Sequence, residues 1–281
     1  MSGEFIDALP PLREIIASYD LAAKKKLGQN FLLDLNLTSK IARTAGDLSD
    51  TTVIEIGPGP GGLTRAILAA GAKKLIAVER DARCVTALNA YLVPAYPDRF
   101  EVIFADALKQ DLCALAPGPR RIMSNLPYNI ATPLLIGWLK QASSFSGLTL
   151  MFQKEVAARI TAAPRTKAYG RLSIMCQWLC EVRAEFNIDA RAFTPPPKIQ
   201  STVVTLIPRP QPLAAARWTA METVTAAAFG QRRKMLRQSL KTLKLDPTAS
   251  GIKATARAEE LTVEDFAALA RQLETQSPAR A

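Results

Sequence analysis

Five consecutive residues, Ser124-Asn125-Leu126-Pro127-Tyr128, carry the most chemistry in this sequence. The Asn125 side-chain oxygen and the Leu126 backbone carbonyl can each accept one hydrogen of a planar exocyclic amine and present its nitrogen to an electrophile. Pro127 fixes the turn, because its φ is locked and it has no N–H to donate. Tyr128 offers a flat face on which a nucleobase can stack. The same residues would also suit a polar turn at a strand end, where Asn and Pro are common. The rest of the chain decides between the two.

A second group surrounds a glycine-rich turn, Glu55-Ile56-Gly57-Pro58-Gly59-Pro60-Gly61-Gly62. Glycines let a backbone turn tightly and approach a ligand closely. Glu79 closes the next expected strand, where an acid can take ribose hydroxyls, and Asp106 closes the one after, where a carboxylate can accept from an adenine amine. A nicotinamide site would share these features. Glu55 beside the glycines, a proline-rich loop in place of G-x-G-x-x-G, and Asp106 favour a ligand with an amine, a ribose and an adenine but no pyrophosphate, which describes S-adenosylmethionine. Glu79 and Asp106 could also simply cap the helices that follow them.

The composition removes other chemistries. The chain has no histidine, so Ser-His-Asp and Cys-His nucleophiles and an imidazole base are all excluded. The four cysteines, Cys84, Cys113, Cys176 and Cys180, form no C-x-x-C pair. No metal site is expected, and buried reduced thiols are.

Strands and helices must position these groups. Short apolar runs at 53–56, 74–78, 100–105, 121–125 and 148–152 read as strands. Helical spacing follows them at 62–70, 82–92, 108–115, 133–141 and 154–162, and returns at 171–180. Two further β-branched strands are expected at 182–188 and 202–207. Alternation of this kind builds a parallel sheet covered on both faces. The stretch Pro208-Arg209-Pro210-Gln211-Pro212 is a linker, and the pattern beyond it is helical, at about 214–229, 232–243 and 263–273. The expected division is an arm over 1–23 with a short helical piece, a large α/β domain over 24–207, and a small helical domain over 213–281.

The chain carries 36 Lys and Arg against 25 Asp and Glu, a net charge of +11. Such an excess favours polyanions. The charge concentrates in Arg232, Arg233, Lys234, Arg237, Lys241 and Lys244, with no acid between them, although a basic run is commonly a solvated helix face. No apolar run is long enough to span a bilayer, and the acids Glu4, Asp7, Glu14 and Asp20 argue against a targeting peptide. A cytoplasmic, monomeric protein without a membrane partner is expected.

With these pieces placed, the chain resembles the family of bacterial small-subunit (16S) ribosomal RNA adenine N6,N6-dimethyltransferases. The segments that carry the resemblance include Leu27-Gly28-Gln29-Asn30-Phe31-Leu32, Glu79-Arg80-Asp81, Asn125-Leu126-Pro127-Tyr128, Phe193-Thr194-Pro195-Pro196-Pro197-Lys198 and Gln231-Arg232-Arg233-Lys234. They run from about residue 27 to about 244 in the family's order. Ile199 and Gln200 depart from the pattern, where Val and an acid are expected.

The resemblance implies a Rossmann-like class I methyltransferase sheet followed by a small all-helical domain. It implies that Asn30, Leu32, Gly57, Glu79, Asp106 and Asn125 contact S-adenosylmethionine. Asn125, Leu126, Pro127 and Tyr128 would hold the target adenine, with Phe193 on its other face, and the Arg232–Lys234 segment with Arg237 and Lys241 would bind RNA. The substrate would be 16S ribosomal RNA in the small subunit or its precursor. Two adjacent adenines near its 3′ end would be dimethylated during subunit biogenesis. Three alternatives stand beside this reading. One is a 23S ribosomal RNA dimethyltransferase of the antibiotic-resistance type. Another is a non-catalytic ribosome-assembly or transcription factor on the same fold. The third, a nicotinamide oxidoreductase, lacks any evident hydride-relay acid or base.

Overall fold

The computed structural model describes residues 9–24 and 27–276. In chain order the strands are β1 (Phe31–Leu32), β2 (Thr52–Ile56), β3 (Lys74–Glu79), β4 (Phe100–Phe104), β5 (Arg120–Asn125), β6 (Gly147–Gln153), β7 (Cys180–Ile188), β8 (Phe193–Thr194) and β9 (Ser201–Pro208). The helices are α1 (Leu12–Ser18), α2 (Leu35–Arg43), α3 (Gly62–Ala69), α4 (Ala82–Tyr91), α5 (Tyr128–Leu139), α6 (Lys154–Ile160), α7 (Arg171–Leu179), α8 (Trp218–Gly230), α9 (Leu236–Ser239) and α10 (Val263–Gln276).

Seven strands form one sheet in the order β4-β3-β2-β5-β6-β9-β7, with helices on both sides. The first five run parallel; β9 runs antiparallel to β6. The wholly parallel sheet expected from the alternation is therefore mixed. β2 and β3 are buried along nearly their whole length, as apolar β-branched strands covered on both faces must be. The strand order reverses between β2 and β5, so a crevice opens at their carboxyl ends. Glu55, Glu79, Asp106 and Asn125 all lie at such ends.

The described part of the arm is ordered. Ile15 and Leu21 pack with Cys84 and Ala87 of α4, and the Arg83 guanidinium donates to the carbonyls of Asp20 and Ala22. Residues 1–8 of the expected arm, and Lys25 and Lys26 of the basic stretch, lie outside the described residues.

Chain contacts divide the protein into one unit of Met1–Lys154 with Ala184–Ile207, and another of Glu155–Arg183 with Pro208–Ala281. The expected boundary at 207 is thus only half of the division. Helices α6 and α7, read from sequence as part of the α/β domain, belong to the second unit. The α7 residues Ile174, Met175 and Trp178 share a core with Met221, Val224 and Phe266 of α8 and α10.

Two expected helices also differ. α5 begins at Tyr128, five residues before the Pro133 at which a start was expected. Pro133 is tolerated inside it, although its missing N–H leaves the Asn129 carbonyl without a helical donor. The helix expected over 232–243 is interrupted. Met235 bridges to Arg257, and the N–H groups of Leu236 and Arg237 donate to the carbonyls of Ala256 and Ala254. Only the short α9 and a tight turn at Lys241–Leu243 remain helical. All four cysteines are free; Cys84, Cys176 and Cys180 are buried, whereas Cys113 is only half-buried.

Candidate active site

A cavity of about 120 Å³ occupies the crevice. Its walls are the 27–32 segment, the glycine loop after β2, the end of β3, the turn after β4 and the Asn125–Ile130 segment. Asn30, Leu32, Gly57, Glu79, Asp106, Asn125, Leu126, Pro127 and Tyr128 all line it. Phe193 does not. It is 2% exposed and packed in the core of the first unit, because β8 pairs with β1 and sets Phe193 opposite Leu32. The expected aromatic partner for the second face of a target base is, in this structure, a buried support of Leu32.

The glycine loop is shaped by its neighbours. Gly57 has φ +68°, and a Cβ there would meet nothing nearer than Pro127 at 3.9 Å, so a side chain would project into the cavity. At Gly62 a Cβ would run into the Leu32 carbonyl, so α3 can approach β1 only without one. Beneath the loop, the Tyr91 hydroxyl donates to the Pro60 carbonyl at 2.6 Å. The buried Arg65 guanidinium sits over the Tyr91 ring, 5.0 Å from its centroid.

Glu79 fixes the loop from the other side. Its carboxylate accepts from the N–H groups of Gly59 at 3.1 Å, and of Arg80 and Asp81 at 2.7 Å each. Burial raises its pKa, and these three donors oppose the rise. The capping role that Glu79 could have had falls to Asp81, which caps α4. Burial pushes the Asp81 carboxyl up, but the Arg83 and Gln29 side chains and the Arg83 N–H outweigh it and hold the pKa at about 2. Gln29 ties the 27–32 segment to Asp81 at 3.2 Å and was not singled out from sequence; a side-chain amide there gives no local signal of a partner 52 residues away.

Glu55 is the unusual group. It is 1% exposed, and its Oε2 has no hydrogen-bond partner. Burial lifts its pKa to about 8, the Thr64 hydroxyl offsets part of that, and the Glu79 charge adds to it. A buried acceptor without a donor is costly, and here it borders the cavity. Asp106 is more open: it accepts from the Leu108 N–H at 3.1 Å and faces Arg80 at 3.8 Å.

The Asn125 amide is oriented by a long-range contact. Its Nδ2 donates to the Asn30 carbonyl at 3.0 Å. The donor end is thereby engaged, and Oδ1 is left as an acceptor with no donor among the described residues. Tyr128 is half-buried, and its hydroxyl shares a 2.6 Å hydrogen bond with the Ser201 hydroxyl. Burial raises the phenol's pKa and Ser201 opposes this, so the ring is neutral and its plane is held. Ser201 was not legible as a site residue, because it is separated from the tetrad by 73 positions.

Cavity and groups fit S-adenosylmethionine. The loop at Gly57 leaves space for a ligand against the backbone, the orphaned Glu55 oxygen leaves a polar position unpaired at the cavity wall, and carboxylates stand at the ends of β3 and the β4 turn. The ribosomal RNA adenine dimethylase family profile matches residues 21–275. The chain belongs to that family. Relatives include ribosomal RNA small subunit methyltransferase A of Rhodospirillum rubrum, 60% identical over 95% of this chain and 94% of the relative. The protein of the same name from Paramagnetospirillum magneticum is also 60% identical, over 96% of each chain. Among solved structures, a dimethyladenosine transferase from Plasmodium falciparum aligns with a TM-score of 0.75 at 25% identity, covering 86% of this chain and 97% of that one. The 23S rRNA methyltransferase ErmE aligns at 0.65 with 28% identity, covering 87% and 100%. The dimethylase is thus an S-adenosylmethionine-dependent enzyme of ribosomal RNA, not an oxidoreductase.

In the second unit, the expected RNA-binding cations separate into two kinds. Arg232 is engaged: its Nε donates to Glu259 at 2.7 Å and its Nη2 to the Thr166 carbonyl at 3.3 Å. Arg233, Lys234, Arg237 and Lys241 are exposed.

Proposed function

We propose that this dimethylase modifies the N6 amines of two adjacent adenines near the 3′ end of 16S ribosomal RNA, on the small subunit or its precursor. The observation that carries the chemistry is the Asn125 amide, whose donor end is held by Asn30 and whose acceptor end is left for an amine. The 60% identity to proteins named for the small subunit, against 28% to the 23S enzyme ErmE, favours the small subunit. Action as a monomer in the cytoplasm, where small subunits are assembled, completes this reading.

S-adenosylmethionine, when bound, supplies an electrophilic methyl group. In this reading Asn30, Leu32, Gly57, Glu79, Asp106 and Asn125 hold it, with Glu79 on the ribose and Asp106 on the adenine amine. Tyr128 stacks the target base, which offsets part of the cost of about a few kcal/mol for taking a base out of its stack. Asn125 Oδ1 and the Leu126 carbonyl accept the two amine hydrogens and favour a tetrahedral, nucleophilic nitrogen in the transition state. As the N–C bond forms and the S–C bond breaks, the nitrogen becomes acidic. Its proton can then leave to water, so no histidine is needed.

The test is transfer of labelled methyl groups to purified unmethylated small subunits, with large subunits and an Asn125→Ala variant in parallel. N6,N6-dimethyladenosine in the small subunit alone, lost in the variant, is the expected result. Label in the large subunit would move the assignment to the 23S type. Binding without transfer would leave a non-catalytic assembly factor.

A further inference from the structure

The loop between α6 and α7 brings a second set of cations to the basic segment of the same unit. Its sequence is Ala163-Pro164-Arg165-Thr166-Lys167-Ala168, and nothing in its composition marks it as separate from an ordinary connection. Three contacts bind it to the C-terminal stretch. The Arg165 N–H donates to the Glu259 carbonyl at 2.7 Å. Arg232 donates both to the Glu259 carboxylate and to the Thr166 carbonyl. Arg232 is therefore a clamp whose own charge is matched by Glu259.

The loop is also internally fixed. The Thr166 hydroxyl donates to the Ala163 carbonyl at 2.7 Å, and the Tyr169 N–H to the Thr166 carbonyl at 3.2 Å. Fully buried Tyr169 anchors the loop's end in the core, edge-on to Phe229. Arg165 has φ +68°, a conformation that non-glycine residues rarely hold without surrounding contacts that impose it. Such fixing leaves Arg165 and Lys167 exposed, with no acid paired to either among the described residues. Arg233 and Lys234 are exposed in the same way immediately beyond the clamp. The clamp thus joins two segments that each carry two exposed cations, and an excess of unpaired positive charge favours a polyanion.

We propose that Arg165 and Lys167 form, with Arg233 and Lys234, one phosphate-binding surface for folded ribosomal RNA, with Arg232 as the clamp that joins its halves. This rests on the RNA-substrate reading above. Phosphate contacts of this kind set orientation and salt dependence, not base choice. A loop fixed before binding loses less conformational freedom on binding than a mobile one.

The experiment is to titrate unmethylated small subunits with wild-type chain and with an Arg165→Gly/Lys167→Gln double variant over a series of KCl concentrations. Glycine accepts the positive φ without strain, and S-adenosylmethionine affinity and the melting temperature check that the variant is folded. Losing two phosphate contacts should lower the slope of log K against log salt by about 1.5 while cofactor affinity is kept. An unchanged slope in a folded variant, with wild-type still methylating small subunits, overturns this proposal alone. Wild-type chain that neither binds nor methylates them overturns the RNA reading beneath it as well. A loss seen only on phosphatidylglycerol vesicles, with the RNA slope intact, would assign the surface to a membrane and also overturn it.

Discussion

The candidate methyl-transfer pocket and the basic surface of the second unit use polar groups in opposite ways. In the pocket, Glu79 and Asn125 are tied to backbone groups from other segments, and Glu55 is buried outright. On the basic surface, Arg233 and Lys234 stand in solvent, and only Arg232 is tied down. Choosing one amine nitrogen requires acceptors fixed before the substrate arrives, in a site where water does not compete. Holding a phosphate backbone requires only charge of the right sign at roughly the right spacing. The lesson is that removing a pocket residue should change the chemistry sharply, whereas removing a surface cation should change binding by small, salt-sensitive steps.

The sharpest test of that contrast is Asn125→Ala. Loss of an acceptor that acts mainly in the transition state should lower methyl transfer about 10²–10³-fold, with little change in RNA affinity. An equal fall in RNA affinity would break the contrast. Next comes Glu55, whose raised pKa has a thermodynamic consequence. Between the ordinary 4.5 and about 8, the native chain holds one more proton than the unfolded chain. Stability should therefore fall as pH rises through that window, by about 1.4 kcal/mol per pH unit from this group. Glu55→Gln should remove that contribution. Urea unfolding of both chains between pH 5 and 8 measures it, and parallel pH profiles would show that Glu55 is ionised when buried.

Smaller effects separate the cations. Arg233→Gln should lower the RNA salt slope by about 0.8, and Arg232→Gln, which removes a charge already matched by Glu259, by less. Equal slopes would mean that the Arg232–Glu259 pair opens on the RNA. Smallest is Tyr128→Phe. It keeps the ring and loses the Ser201 hydrogen bond, worth about 1 kcal/mol, so activity should drop only a few-fold. Tyr128→Ala loses the stacking face and should cost more, about 1–3 kcal/mol. Steady-state methylation of the two variants compares them directly.

Asn125, Leu126, Pro127 and Tyr128 were legible because their chemistry is local. One turn at one strand end carries the acceptors, the fixed backbone and the ring, and covalent connection alone keeps them together. Glu55, Glu79 and Asp106 were legible for a related reason: alternating strands and helices put successive strand ends on one edge of a sheet. Other outcomes depended on pairings across tens of residues, which no local pattern encodes. The β1–β8 ladder turned Phe193 into the core, and the Asn30 carbonyl chose which end of the Asn125 amide stays free. Packing with α8 and α10 drew α7 into the second unit, and Glu259 converted Arg232 from a free cation into a clamp. Sequence by itself determined which functional groups exist and at which strand ends they emerge. Tertiary structure alone decided which of their atoms remain unengaged, because a hydrogen bond or an ion pair is satisfied by whatever the fold brings within about 3 Å, however distant in the chain.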